Sequence, residues 1–98
     1  MCSVIEIKEF GPIVSNKETG EKIYQMITDA LKKEAIVTVD LEGILSMATF
    51  CAKQIFGKLY LDLEPHFFFE RIKIKNANND LKLIINMGIH SAINDQNK

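Results

Sequence analysis

Residues 35–52 read Ala-Ile-Val-Thr-Val-Asp-Leu-Glu-Gly-Ile-Leu-Ser-Met-Ala-Thr-Phe-Cys-Ala, and this stretch decides the fold. Residues 35–39 form a β-branched run without regular polar alternation, which is typical of a central strand covered on both faces. Asp40 ends this strand, and Gly43 permits a turn. A helix is predicted over residues 49–63, because its apolar side chains share one face and Pro65 follows. A buried strand, a tight loop and a helix in succession indicate an α/β fold.

The segments on either side continue the alternation of strands and helices. Residues 3–10 alternate apolar and charged side chains, which predicts a half-buried strand, and residues 13–14 predict a short strand that pairs with it in a hairpin. Residues 15–18 fit a capping box that starts a helix over residues 16–33. Residues 67–75 alternate again and predict a strand.

The last predicted element is a helix over residues 79–93, which follows a turn-rich segment. The resulting order of three strand–helix units predicts a mixed β-sheet with residues 35–39 in its centre and helices packed against it. We expect a single domain over residues 1–98, with a core at about 4–93 and a polar tail at 94–98. The predicted core residues are Ile7, Ile23, Ile27, Leu31, Ile36, Val37, Val39, Ile55, Phe56, Leu59, Ile72, Ile74, Ile84 and Ile85.

The composition argues against two classes of partner. Apolar residues make up 47% of the 98 residues and charged residues 26%, which are the proportions of a globular chain. The 12 Lys and Arg residues nearly balance the 13 Asp and Glu residues, for a net charge of −1. The chain therefore has no large basic face for nucleic acid. No uninterrupted apolar run is long enough to span a membrane, so we expect neither a nucleic-acid nor a membrane partner.

The cysteines and histidines favour a reducing compartment and argue against a metal site. Cys2 and Cys51 are too few for a disulfide framework, and the N-terminus lacks the pattern of a signal peptide, so we expect a cytoplasmic protein. His66 and His90 lie far along the chain from each other and from both cysteines, which fits no zinc-binding spacing. The sequence contains no glycine-rich phosphate loop, and we expect no cofactor and no metal.

Short motifs follow one another along the chain in a recognisable order. The sequence Ile7-Lys8-Glu9-Phe10-Gly11 has the form I-x-x-F-G, and residues 15–20 begin a helix with a hydroxyl side chain. A turn of the form D-x-x-G-V … S-F-A is matched by Asp40, Gly43, Ile44, Thr49, Phe50 and Cys51. Residues 74–78, Ile-Lys-Asn-Ala-Asn, have the form I-x-N-x-N. Together these motifs resemble the STAS family of domains, and most closely its STAS-like branch, over about residues 4–93.

The resemblance implies a regulatory domain rather than an enzyme. The STAS family includes bacterial anti-sigma-factor antagonists, in which a Ser at the start of the matching helix is phosphorylated by a GHKL-type kinase that is also the anti-sigma factor. Carried over to this chain, the resemblance implies Thr49 as the phospho-acceptor, with Ser46 as the second candidate. It also implies a loop that docks on a protein partner, a GHKL-type ATPase or kinase. The residues of that loop are Asp40, Glu42, Gly43, Ser46, Thr49 and Phe50.

Other interpretations stay open from the residues alone. Cys51 lies in the first turn of a predicted helix, a location that can activate a thiol, so a small thiol-dependent enzyme or redox protein is an alternative. A buried and inert thiol is the competing interpretation. The domain could also associate with a second copy of itself. Thr49 has a structural interpretation too, because Thr at a helix start commonly serves as the N-cap.

Overall fold

Short parallel strands alternate with helices along the chain. The computed structural model describes the backbone of residues 2–96 and the side chains of residues 3–96. In chain order the elements are β1 (Cys2–Glu6), a 3₁₀ turn (Lys8–Phe10), β2 (Ile13–Val14), α1 (Lys17–Lys33), β3 (Ile36–Asp40), β4 (Ser46–Met47), α2 (Thr49–Ala52), a π-helical segment (Lys53–Gly57), α3 (Lys58–Arg71), β5 (Ile72–Lys75) and α4 (Asn79–Gln96). The predicted α/β class is confirmed.

The main sheet has the strand order β1-β3-β5, with β3 in the centre as predicted. Both strand pairs are parallel, and Val39 lies opposite Ile5 on one side and Ile74 on the other. The sheet is therefore wholly parallel rather than mixed over the described residues, because each strand is reached through a helical crossover. Crossovers of this kind are right-handed, which places α1 and α3 on the same face of the sheet.

A second, two-stranded sheet replaces the predicted hairpin. β2 pairs with β4 in parallel, with Ile13 opposite Ser46 and Val14 opposite Met47. The hairpin prediction was wrong because β2 pairs with β4 and not with β1. No local sequence pattern predicts this long-range pairing. Since β4 lies in the loop before α2, this small sheet ties that loop to the start of α1.

The caps of α1 and α4 are asparagines. The Asn16 side-chain oxygen accepts hydrogen bonds from the backbone N–H groups of Glu18 (2.7 Å) and Thr19 (3.4 Å), so Asn16 and not Ser15 caps α1. Asn and Ser serve this position about equally well, and the helix simply begins one residue later. Asn78 caps α4 in the same way, and α4 runs to Gln96, so residues 94–96 of the predicted tail are helical. Residues 97 and 98 lie outside the described part of the chain.

The predicted strand over residues 67–75 is correct only for its last part. The predicted helix ended at residue 63, before Pro65, but helical structure resumes at Pro65, after Glu64 adopts a positive φ of 68°. Proline fits the first turn of a helix, where its missing N–H costs nothing. Residues up to Arg71 are consequently helical, and only Ile72–Lys75 form β5.

The core lies between the main sheet and the helices on its one covered face. Most predicted core residues are buried, including Ile7, Ile23, Ile27, Val37, Val39, Ile55, Phe56, Leu59, Ile72 and Ile85. Leu31 and Ile84 are only partly buried, and Ile36 and Ile74 are each 37% exposed, so these last two predictions were wrong. Ile36 lies on the face of β3 that no helix covers, which also corrects the expectation of a strand buried on both faces.

Candidate functional site

The loop between β3 and α2 begins with a tight turn at the carboxyl end of the central strand. The backbone N–H of Ile44 donates to the carbonyl of Leu41 at 3.0 Å, and both side chains are buried. Gly43 closes the turn with a φ of 84°, a conformation that favours glycine. Glu42, the remaining residue of the turn, is exposed. The buried apolar side chains thus fix the turn against the core and leave Glu42 at the surface.

Asp40 orients this loop through its carboxylate. Its oxygen accepts hydrogen bonds from the side-chain amide of Asn76 at 2.9 Å and from the backbone N–H of Glu42 at 3.0 Å. The hydrogen bond from Asn76, together with the one from Glu42, lowers the pKa of the Asp40 carboxyl below its usual value. The residue is 6% exposed. Asp40 therefore supports the loop from beneath and is not itself a surface contact.

The second half of the loop is held by hydrogen bonds along its backbone. The carbonyl of Pro12 accepts from the N–H of Leu45 at 2.7 Å, and the carbonyl of Val14 accepts from the N–H of Ala48 at 2.8 Å. The side-chain amide of Asn78 donates to the carbonyl of Leu45 at 3.1 Å. The loop is therefore bound to the start of α1 on one side and to the start of α4 on the other.

Two large apolar side chains project from this fixed loop. Leu45 is 63% exposed and Phe50 is 52% exposed, and Thr49 between them is exposed as well. Ser46 is half-buried in β4 and is less accessible than Thr49. The structure thus places Glu42, Thr49 and Phe50 of the predicted loop at the surface. Leu45 was missing from the predicted set, and strand alternation gives no signal for it, because Leu45 and the buried Met47 are two residues apart and would share one face.

Thr49 is not the cap of its helix. The N-cap position is occupied by Ala48, whose side chain makes no capping hydrogen bond, and Thr49 is the first helical residue. Among the described residues no hydrogen bond to the Thr49 hydroxyl is found. The interpretation of Thr49 as a structural cap was therefore wrong. The helix begins at Thr49 itself, one residue earlier than it would if Thr49 were the N-cap. Its hydroxyl is exposed and has no structural task within residues 2–96.

A surface groove of about 530 Å³ continues from Phe50 along the helices. Its walls are formed by Leu61 on α3 and Ala92 on α4, with the ion pair between Lys53 and Asp95 across it. Sequence patterns gave no signal for this groove, because it depends on how α4 crosses α2 and the π-helical segment. It extends the apolar surface that Phe50 begins.

Cys51 lies beneath this surface and does not reach it. Its side chain is fully buried, and its sulfur is 3.6 Å from the backbone carbonyl oxygen of Asn16. Burial raises the pKa of the Cys51 thiol. A reactive cysteine needs a lowered pKa and access to solvent. The environment of Cys51 therefore favours the inert thiol over the thiol-dependent enzyme.

The other candidate chemical groups are dispersed. His66 is exposed and pairs with Glu70 at 3.4 Å, and His90 is exposed on α4. Within residues 2–96 no group of three His, Cys, Asp or Glu side chains could hold a metal ion. The guanidinium of Arg71 donates hydrogen bonds to the backbone carbonyl of Leu31, at 2.7 Å, and to those of residues 34–35. No helix in this part of the chain is long and apolar enough to cross a membrane.

The comparisons with known proteins bear on most of the region that forms the site. Residues 19–82 match a family model described as a STAS-like domain of unknown function (DUF4325). The match covers well over half of the chain and contains the whole loop from Asp40 to Phe50. No curated protein and no solved structure matches the chain.

Proposed function

The chain belongs to the family of STAS-like domains, and we propose that it is a regulatory domain that docks on a protein partner and catalyses no reaction itself. The docking surface consists of Leu45, Thr49 and Phe50 together with the adjacent groove. The observation that supports this proposal most strongly is the exposure of two large apolar side chains on a loop whose backbone is hydrogen-bonded at both ends.

A fixed loop is well suited to binding because it loses little conformational entropy when a partner docks. The backbone of Leu45 is held on both sides: its N–H donates to the carbonyl of Pro12, and its carbonyl accepts from the side-chain amide of Asn78. Phe50 sits in the first turn of a helix that the core anchors through Cys51 and Ala52. Exposed apolar side chains flanked by polar ones are common features of protein–protein contact sites. The same scaffold would position them identically in the free and bound domain.

Thr49 lies where a charge would change docking without unfolding the domain. A phosphate on its hydroxyl would sit at a helix start, where the backbone N–H groups and the helix dipole favour negative charge. It would also place about −1.5 to −2 charges between two apolar contact residues. We therefore propose that phosphorylation of Thr49 releases the partner. The docking role does not depend on this switch.

The partner class in this proposal comes from the resemblance to anti-sigma-factor antagonists, which are regulated by GHKL-type kinases. We accordingly propose a GHKL-type ATPase or kinase as the partner. A GHKL-type protein encoded beside this chain in the same genome would be the first to test.

The test compares two leucines that are equally exposed but differently placed. Leu45 is 63% exposed on the loop, and Leu83 is 60% exposed on α4 and belongs neither to the loop nor to the lining of the groove. We expect Leu45→Asp to weaken binding to the purified GHKL-type protein at least tenfold by biolayer interferometry, and Leu83→Asp to leave it within twofold. Thr49→Glu should weaken binding and Thr49→Ala should preserve it.

The results separate the parts of the proposal. Equal losses for Leu45→Asp and Leu83→Asp would show that the loop is not the docking surface. Equal binding of wild type and Thr49→Glu would rule out the switch while keeping the docking surface. If no GHKL-type protein of the source genome binds the wild-type domain, the proposed partner class is wrong.

A further inference from the structure

One face of the main sheet is left uncovered by the rest of the described chain. α1 and α3 pack against the face that carries Val37 and Val39, and α4 packs against α2, the π-helical segment and α3 rather than against the sheet. On the opposite face Val4 is 56% exposed and Ile36 is 37% exposed. Parallel sheets are almost always covered on both faces. We therefore expect another protein surface to cover this face.

The uncovered face carries negative charge on the edge strand β1 and positive charge on the edge strand β5. Paired residues of parallel strands point to the same face, so Val4 and Lys73 flank Thr38 in one row, and Glu6 and Lys75 flank Asp40 in the next. The carboxylate of Asp40 is occupied by Glu42 and Asn76. The edge strand β1 thus presents an acidic group, and the edge strand β5 presents two lysines, of which Lys73 donates its ammonium to the backbone carbonyl of Phe69 at 3.0 Å. Within residues 2–96 neither Glu6 nor Lys75 belongs to an ion pair within 4 Å, and the charge of Lys75 contributes to the lowered pKa of the neighbouring Asp40.

We propose that this face, formed by Val4, Glu6, Ile36, Thr38, Lys73 and Lys75, is an interface with a second copy of the same chain. A two-fold axis running along β3 between two stacked faces places β1 of each copy over β5 of its partner. Glu6 then faces the partner's Lys75, twice by symmetry, and Val4 faces the aliphatic stem of the partner's Lys73.

The alternative face-to-face arrangement is disfavoured by the same charges. A two-fold axis perpendicular to the strands would stack β5 on the partner's β5 and bring the cations of Lys73 and Lys75 against those of the second copy. Like charges in close juxtaposition oppose association. In the favoured arrangement Ile36, Thr38 and Asp40 on the central strand meet their own counterparts. The Ile36 side chains form an apolar contact beside the ion pairs. The Asp40 carboxylates are only 6% exposed and stay hydrogen-bonded to Glu42 and Asn76 within their own copy.

The size of the face sets the strength of the dimer. Strand spacing and rise give three strands of this length a face of roughly 15 Å by 15 Å. The two faces together amount to about 450 Å², well below the about 1,200 Å² at which interfaces of standard size begin, so the dimer is weak. The dimer therefore forms at high protein concentration and dissociates on dilution.

Charge exchange tests the proposal on exposed side chains that do not hold the core. Sedimentation velocity of the wild-type domain from about 5 to about 500 µM should show a shift toward twice the monomer mass of 11.1 kDa. Glu6→Lys alone and Lys75→Glu alone should each abolish this shift, because each sets two like charges against one another. The double variant Glu6→Lys/Lys75→Glu should restore it, since both pairs are again of opposite sign.

A matched pair of apolar variants checks the central contact. Ile36→Asp should keep the domain monomeric, and Leu83→Asp on α4 should leave the dimer intact, with circular dichroism confirming folding of both. The proposal is overturned if the wild type stays monomeric throughout the range, if the double charge exchange fails to restore the dimer, or if Leu83→Asp disrupts it. The outcome is independent of the docking proposal, which depends on Leu45 and Phe50 in the loop.

Discussion

Replacing Gly88 with alanine tests how closely α4 crosses the junction of α2 and the π-helical segment. We expect this substitution to destabilise the domain, although helix propensity alone favours alanine. In an unconstrained helix interior, Gly→Ala stabilises by about 0.8–1 kcal/mol. At position 88 a methyl group would lie 2.6 Å from the backbone nitrogen of Lys53 and 2.6 Å from the carbonyl carbon of Ala52. Those atoms belong to the junction of α2 and the π-helical segment and cannot rotate away as a side chain would.

The expected loss of stability is the cost of the steric clash minus the gain in helix propensity. Overpacking of a core costs about 1–3 kcal/mol, and a clash with backbone falls at the upper end of that range. Subtracting the propensity gain leaves a loss of about 2 kcal/mol, which for a domain of this size lowers the melting temperature by about 8–16 °C. Urea denaturation followed by circular dichroism measures the change in the free energy of unfolding.

Gly20→Ala is the matched control for this prediction. Its new methyl would meet only the end of the Gln54 side chain, at 2.2 Å. That side chain can move, at the cost of its hydrogen bond to the carbonyl of Lys17, which is worth about 1 kcal/mol. Gly20→Ala should therefore be nearly neutral. A Gly88→Ala domain as stable as the wild type, or more stable, would show that α4 does not cross the second helix as closely as described.

Further predictions concern single side chains. Truncating the fully buried Phe56 to alanine should cost about 3–5 kcal/mol in urea denaturation; a change below about 1 kcal/mol would place it outside the core. In a Cys2→Ser variant, Cys51 should react with a thiol reagent at neutral pH only as fast as the domain unfolds, and rapid labelling would revive the thiol-dependent alternative. Burial and the hydrogen bond to Asp62 raise the pKa of Tyr24 to about 12, so phenolate absorbance at 295 nm should show a transition there that Tyr24→Phe removes. Because the raised pKa favours the protonated phenol in the folded state, the stability that Tyr24 contributes should be constant below about pH 10 and decline above it; a flat profile would contradict this. Ala48→Ser should stabilise the domain by about 0.5–1 kcal/mol by adding the missing cap, and no gain would mean that the helix begins elsewhere.

The features that the sequence predicted correctly depend on local periodicity. The β-branched run at Ile36–Asp40 and the apolar stripes of α1 and α4 repeat at the spacing of their own element. The stripe through Ile55, Phe56 and Leu59 is buried as expected, even though a π-helical segment interrupts it. Hydrophobic burial acts on such patterns directly, so they are readable without knowledge of the neighbours.

The features that were missed depend on contacts between distant segments. The pairing of β2 with β4 joins residues about thirty positions apart, and it could not be distinguished from a hairpin by pattern alone. The aromatic run at residues 67–69 favours a strand by propensity, yet the helix that restarts at Pro65 overrides it. Ile36 looked like a core residue because the sequence does not reveal that one face of the sheet lacks a covering layer.

The candidate site divides in the same way. Its turn residues Asp40 and Gly43 were identified by the local chemistry of a turn, and their roles in the structure match it. The groove beside Phe50 needs the docking of α4, whose lining residues Ala92 and Asp95 lie more than forty residues later in the chain. The exposure of Leu45 could not be found by alternation, because the buried Met47 in β4 lies two residues away and a strand pattern would place both side chains on one face.

The most direct test of the docking proposal maps the bound surface residue by residue. The ¹⁵N-labelled domain is titrated with a purified GHKL-type ATPase from its own genome, and the amide signals are followed by NMR. The proposal predicts shifts or line broadening concentrated at residues 42–50 and along the groove at Leu61 and Ala92, with little change at Val4 or Ile36 on the uncovered sheet face. Perturbations confined to that sheet face, or none at a saturating concentration of the ATPase, would contradict the proposal that the loop is the docking surface.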